Sequence, residues 1–230
     1  MTIGTAMTHS AYRPSHHPDE SALLDYAAGT SSEAAGLMIA SHLALCPACR
    51  ADVARLEALG GAMLDNLAPT PMESANLGEL MGRLDALDRA PARAPDERLP
   101  ESALLLPQPL RRYVGDADAL PWRKLGRGVD EVELANAAGK GEHLRLLRIK
   151  AGAAVPRHTH HGNEMVMVLS GGFTDSSGHY LRGDLGMSDA KIDHTPVADA
   201  DADCICLSFT DAPLRFTGTF GWLLNRFVKF

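Results

Sequence analysis

His42-Leu43-Ala44-Leu45-Cys46-Pro47-Ala48-Cys49 carries the sharpest chemical signal in the chain. Its His-x3-Cys-x2-Cys spacing sets an imidazole one helical turn ahead of a Cys-x2-Cys pair. Residues i and i+4 of a helix share a face, so His42 and Cys46 can reach one ion. The Cys-x2-Cys turn adds the Cys49 thiolate. Tetrahedral zinc takes four N or S ligands, and this run offers three. His16 and His17 are the near candidates for the fourth, with His9 farther off. A ligand from the chain start would tie the first helix to the junction of the second and third. It would also close the site, as structural zinc requires.

Working outward, the flanking sequence predicts helices. From Asp19 an apolar stripe of Leu23, Leu24, Ala27 and Ala28 runs to Gly29, a C-terminal cap candidate. Ser31 or Ser32 can cap a second helix through about Leu45. Pro47 suits the first turn of a third, which carries Val53, Leu56, Leu59 and Met63 to about Leu67. Pro69-Thr70-Pro71 breaks it. A fourth amphipathic stretch runs from about Met72 to Leu87 through Leu77, Leu80, Met81 and Leu84. Residues 90–100 form a Pro-rich charged linker, which predicts modules that fold independently.

Beyond the linker the texture changes. Leu144–Ile149, Met165–Leu169 and Cys204–Phe209 have strand length and lie between Gly, Asp and Ser clusters, as in an antiparallel all-β domain. A second histidine cluster falls here: Gly152-x5-His158-x-His160-x3-Glu164-x6-Gly171. Residues two apart in a strand face the same way, so His158 and His160 point together. His161-Gly162-Asn163 can turn the chain and return Glu164 to the same interior. His194, after the turn-rich Gly183-Asp184-Leu185-Gly186, is the natural fourth ligand. Three imidazoles and a carboxylate suit zinc, iron, manganese, copper or nickel. His143, His161 and His179 have no partner spacing. Cys204 and Cys206 alternate on a strand; they read as small buried apolar residues or as an oxidation-sensing thiol pair, although an i, i+2 disulfide on a straight strand is strained.

Composition narrows the function. The chain has 230 residues and is 45% hydrophobic, enough to bury a sizeable core. No run of 18 apolar residues occurs, and the first 30 residues lack a secretory apolar core, so a cytoplasmic protein without membrane attachment is expected. Residues 1–90 hold five Arg, no Lys and eleven acidic residues, a net −6. Such a module is a poor nucleic-acid binder and a suitable partner for a basic protein surface.

The N-terminal pattern resembles the zinc-binding anti-sigma domains of bacterial anti-sigma factors, which join an upstream His to His-x3-Cys-x2-Cys at a helix junction. Within that group it is similar to the ChrR family, on His16-His17-Pro18, Leu23-Leu24-Asp25-Tyr26-Ala27-Ala28-Gly29-Thr30, His42, Cys46 and Cys49. The family's upstream ligand lies 25 residues before the second histidine, which selects His17 over His16. The second cluster is similar to the first cupin motif. The second cupin motif is worn, with only Gly183 and His194 recognisable.

The resemblance implies an α+β multidomain chain. Residues 13–89 would be a zinc-bound helical anti-sigma domain, 90–100 a linker and 101–230 a cupin β-barrel. It implies sequestration of an extracytoplasmic-function sigma factor, 1:1, with release under singlet oxygen or organic peroxide. Zinc is expected on His17, His42, Cys46 and Cys49. Zinc, or iron or manganese, is expected on His158, His160, Glu164 and His194. The alternative is a metal-dependent cupin enzyme, dioxygenase-like, with a zinc assembly module at its N-terminus.

Overall fold

The computed structural model describes residues 13–70, 77–87, 106–114, 119–134, 139, 141–218 and 221. His9, the start of the expected fourth helix and the linker at 90–100 lie outside them. Among the described residues five helices precede eleven strands. The helices are α1 (Glu20–Ala27), α2 (Glu33–Leu45), α3 (Pro47–Asp65), α4 (Leu77–Ala86) and α5 (Gln108–Val114).

Local chemistry explains the helix ends. Asp19 caps α1, its side chain accepting from the Ala22 N–H. Gly29 follows α1 at φ 70°, the left-handed conformation that glycine adopts without a Cβ penalty. Ser32 caps α2 by accepting from the Ala35 N–H at 3.3 Å. Cys46 ends α2 and begins α3: its N–H bonds the His42 carbonyl, and its thiol accepts from the Cys49 N–H. Pro47 opens α3 at a position whose N–H has no helical partner. The short α5 was not foreseen in the sequence. It packs on α2, with the Tyr113 hydroxyl donating to Glu33 at 2.8 Å.

The strands are β1 (Arg123–Gly126), β2 (Val129–Glu133), β3 (His143–Ile149), β4 (His158–His160), β5 (Glu164–Ser170), β6 (Gly172–Asp175), β7 (Gly178–Leu181), β8 (Leu185–Ser188), β9 (Val197–Ala198), β10 (Cys204–Thr210) and β11 (Leu214–Phe216). They form antiparallel sheets in the orders β1-β2-β3-β10-β5-β8, β7-β6-β9 and β11-β4. The three runs read as strands from sequence are β3, β5 and β10, the central neighbours of the large sheet.

Alternation along those strands divides the core in two. One face of β3, β5 and β10 turns Ile149, Val168, Cys204 and Cys206 toward Phe173 and Tyr180 of the small sheet. The other turns Leu144, Leu146, Met165, Met167, Leu169, Leu207 and Phe209 toward the helices, where they join Leu37, Met38, Leu43 and Leu110 in one buried cluster. The linker sequence predicts a loose tether, yet the helical and β parts share this apolar core. An antiparallel sheet apolar on both faces must be covered on both, and α2 and α5 cover the outer one. Leu207 is fully buried at the seam. Leu207→Ala should cost about 2–5 kcal/mol. Helical and β signals should then melt together at a lower temperature, which circular dichroism checks.

Candidate metal centres

At the α2–α3 junction four side chains meet. His42 sits in the last turn of α2, Cys46 at the bend and Cys49 in the first turn of α3. His17 arrives from the segment ahead of α1. One ligand atom from each lies within 4.8 Å of all the others. The His17 Nδ1 is 3.5 Å from the Cys46 Sγ and 3.4 Å from the Cys49 Sγ, and the His42 Nε2 is 3.4 Å from the Cys49 Sγ. Tetrahedral zinc with ordinary Zn–N and Zn–S bonds has N···S edges of about 3.6 Å. The neighbouring His16 is not in this group. Its ring stacks on Tyr180, centroids 4.2 Å apart.

The outer nitrogen of His42 fixes its tautomer. Nδ1 lies 2.8 Å from the Gly183 carbonyl, an acceptor, so Nδ1 carries the proton and Nε2 presents a lone pair to the cluster. Burial lowers His42 to about 4, so the ring is neutral at neutral pH. Burial, with the Cys46 thiol beside it, pushes the Cys49 thiol up to about 12. Without a cation this thiol stays protonated; a bound metal would take it as thiolate.

The second group lies inside the β part. His158 and His160 face inward from β4, Glu164 opens β5, and His194 is held opposite His158 by a two-way backbone bridge. The His194 Nε2 is 3.1 Å from the His158 Nε2 and 3.5 Å from the His160 Nε2. The Glu164 Oε2 is 3.2 Å from the His160 Nε2 and 3.9 Å from the His194 Nε2. The His158 Nδ1 donates to the Pro156 carbonyl at 2.8 Å, and the His194 Nδ1 to the Asp175 carboxylate at 2.7 Å. Two Nε2 lone pairs therefore face each other at 3.1 Å, an arrangement a cation between them relieves. The donor set fits a metal, and His158 and His194 are held in the manner of ligand histidines whose outer nitrogens are pinned.

Burial lowers His158 and His160 to about 4 and raises Glu164 to about 7, the latter against the pull of His194. Above pH 7 the ligand atoms of His158, His160 and Glu164 are free of protons. Below it a metal must displace the Glu164 proton, so affinity should fall about tenfold per pH unit, and faster once His158 and His160 protonate. Zinc titration against a competing chelator from about pH 8 to pH 5 measures this; a flat profile would remove Glu164 from the set.

His17, His42, Cys46 and Cys49 meet in one cluster and His158, His160, Glu164 and His194 in the other, whereas the alternative ligand His16 lies apart. His143 and His179 instead pair with Glu133 and Asp199. Cys204 and Cys206 are free, buried and 3.3 Å apart, and Cys206 faces the same cavity as His158, Glu164 and His194. The hydrogen bond with Cys204, together with burial, holds the Cys206 thiol well above the ordinary range. Asp175, Gly183 and the Pro156 carbonyl were missed, because a backbone acceptor or a lone second carboxylate has no spacing signature.

A family profile described as ChrR Cupin-like domain matches residues 110–212. The chain is 42% identical over 218 residues to the anti-sigma-E factor ChrR of Cereibacter sphaeroides, covering 93% of this chain and 98% of that protein. The fold matches the ChrR chain in the crystal structure of Rhodobacter sphaeroides SigE in complex with the anti-sigma ChrR, at TM-score 0.74 and 38% identity, over 86% of this chain and 100% of that one. An RmlC-like cupin protein from Ralstonia eutropha JMP134 matches at TM-score 0.40 and 24% identity, over 46% of this chain and 72% of that one. With that identity sustained along nearly the full length of both proteins, the chain belongs to the ChrR family of anti-sigma factors.

Proposed function

We propose that this chain sequesters an extracytoplasmic-function sigma factor in a 1:1 complex and releases it under oxidative stress. The observation that carries the first half is the full-length match to a chain seen bound to SigE. The free helices support it. Leu77, Leu80, Met81 and Leu84 form a stripe at helical spacing on α4, yet no residue of α4 is buried. A ten-residue helix with an uncovered apolar stripe is marginal alone and calls for a partner. Leu59, Met63, Leu64 and Leu67 leave the end of α3 similarly exposed. The acidic surface of residues 1–90 suits a partner that itself binds DNA. No helix among the described residues is long and apolar enough to cross a membrane. A sigma factor works on RNA polymerase, so the complex belongs in the cytoplasm.

We infer that His17, His42, Cys46 and Cys49 hold zinc as a structural crosslink. His158, His160, Glu164 and His194 would hold zinc, or alternatively iron or manganese. Such an ion would supply a Lewis acid for a small oxygen-bearing ligand. Beside this cluster the cavity is about 70 Å³, well under the roughly 300–1,000 Å³ of pockets that enclose a drug-sized ligand. A space of that size suits an oxidant or water better than the substrate of a cupin oxygenase. The imidazoles of His158 and His194 line it, and an electron-rich imidazole is a group that singlet oxygen can attack; the buried, protonated Cys206 thiol is the less reactive neighbour.

Purification from the native cell tests the reading. A sigma factor should co-purify in equal amount, and an alkyl hydroperoxide should dissociate the complex. The same treatment should leave a His160→Ala complex intact. Absence of any sigma factor overturns the function; equal dissociation of both complexes overturns the sensing site.

A further inference from the structure

Residues 175–185 touch both metal clusters. At one end Asp175, almost fully buried, accepts from the His194 Nδ1. Its other oxygen accepts the N–H groups of Ser177 and Gly178, so the same carboxylate shapes the β6–β7 turn. Gly178 lies directly under the His16 ring: a Cβ there would stand 3.0 Å from the His16 Nε2. Tyr180, two residues on, stacks between Phe173 and His16. Both Phe173 and Tyr180 line the cavity that holds the barrel cluster.

At the other end the β7–β8 turn grips the helical cluster. Asp184 is fully buried, and its Oδ1 accepts the N–H groups of Ser15 at 2.6 Å and His16 at 3.0 Å. The Leu185 N–H returns a bond to the His16 carbonyl at 3.1 Å. This clamps the peptide immediately before His17. The Gly183 carbonyl accepts a hydrogen bond from the His42 Nδ1–H at 2.8 Å. Gly183 adopts φ 93°, and a Cβ on it would stand 2.9 Å from the Pro14 ring. Both histidines of the helical cluster are thus set by one β-turn, whose strand leads straight to the partner of His194.

We propose that this hairpin couples the two centres, so that a metal in the barrel cluster tightens zinc at the helical cluster. The proposal rests on the ligand sets given above. Each link is a hydrogen bond or a ring contact, not mere proximity. An ion that fixes His194 fixes Asp175 and the β6–β7 turn with it. The order passes through Tyr180 and Asp184 to the segment carrying His17 and to the carbonyl that orients His42. Outer partners of this kind change metal affinity by about 10–100-fold. Loss of the barrel metal would loosen the helical zinc, and with it the surface offered to the sigma factor. Coupling must be reciprocal: filling the helical site tightens the barrel site by the same factor.

Cobalt reads the two sites apart in the full-length protein. Only the helical cluster has thiolates, so only it gives a thiolate-to-cobalt charge-transfer band. Displacement of that band by zinc gives the helical-site affinity, with the barrel cluster filled or emptied. Wild type should bind zinc at the helical site at least about fivefold more tightly when the barrel is filled. His158→Ala, which cannot fill the barrel, should show the weaker value throughout. Asp184→Asn and Tyr180→Leu should still take two ions per chain, with the ratio falling toward one. If Asp184→Asn does not fold, Tyr180→Leu alone decides. An unchanged affinity in wild type, or an undiminished ratio in Tyr180→Leu, overturns the coupling. Sigma binding is measured separately: coupling without sigma binding would leave this inference standing and remove the proposed function.

Discussion

Cys46→Ser is expected to lower zinc content from about two ions per chain to about one and to abolish sigma-factor binding. A structural zinc in a small domain contributes about 10–16 kcal/mol of apparent binding energy, as much as the whole stability of a typical domain. Here the ion would join His17, ahead of α1, to the bend between α2 and α3. Met38 and Leu43 would still seat α2 on the sheet. The chain start and α3 would lose their common anchor, and the exposed face of α3 would lose its fixed orientation. Elemental analysis and a binding titration check this. His17→Ala should behave alike, whereas His16→Ala should keep the zinc, because its ring lies on Tyr180 rather than in the cluster. Full sigma binding by zinc-free Cys46→Ser would refute the role given to this centre.

The second large effect is expected on α4. Leu80 and Met81 are each 48% exposed in the free chain. The double variant Leu80→Asp, Met81→Asp should weaken sigma binding at least about 100-fold, since charges would enter a buried apolar contact. The melting temperature should hardly move, because surface changes away from packed features cost about 0.5 kcal/mol or less. Calorimetric titration and thermal melting together separate a lost contact from a lost fold. Unchanged binding would mean that α4 lies outside the interface.

Much of this could be read from residue types. His42, Cys46 and Cys49 announce the helix junction because ligand spacing and helix periodicity agree there, and Pro47 confirms the restart. His158 and His160 announce an inward strand face by the period of two. His194 was reachable only by chemistry, as the imidazole left over after the turn that follows β7. The shared core was less legible, though α2 gave a hint. Between Glu33 and Leu45 only Glu33 carries a full charge, and a helix apolar nearly all round must be covered on every side. The Pro-rich linker pointed the other way, toward independent modules. Linker composition reports on the linker; the packing was decided by the apolar outer face of β3, β5 and β10. Asp184 was illegible for another reason. Its local bond to the Leu181 N–H only shapes the turn, while the N–H groups it clamps near His17 lie some 168 residues away in sequence, and such a partnership leaves no pattern around either end.

Gly183 shows how a worn motif can keep one residue for a new reason. In the sequence it is one of two survivors of the second cupin motif. In the structure it adopts a left-handed conformation against Pro14 and offers its carbonyl to His42. Gly183→Ala would meet both a strained φ and a clash with the Pro14 ring.

Transcription reconstituted from purified parts shows whether the chain holds a sigma factor away from RNA polymerase. The extracytoplasmic-function sigma factor recovered with the chain is added to core polymerase and a promoter it recognises. Titrating in the zinc-loaded protein should abolish transcripts at about one chain per sigma factor, as expected for a tight 1:1 complex, with a housekeeping sigma factor unaffected. Undiminished transcription at a large excess of the chain would mean that it does not sequester the sigma factor.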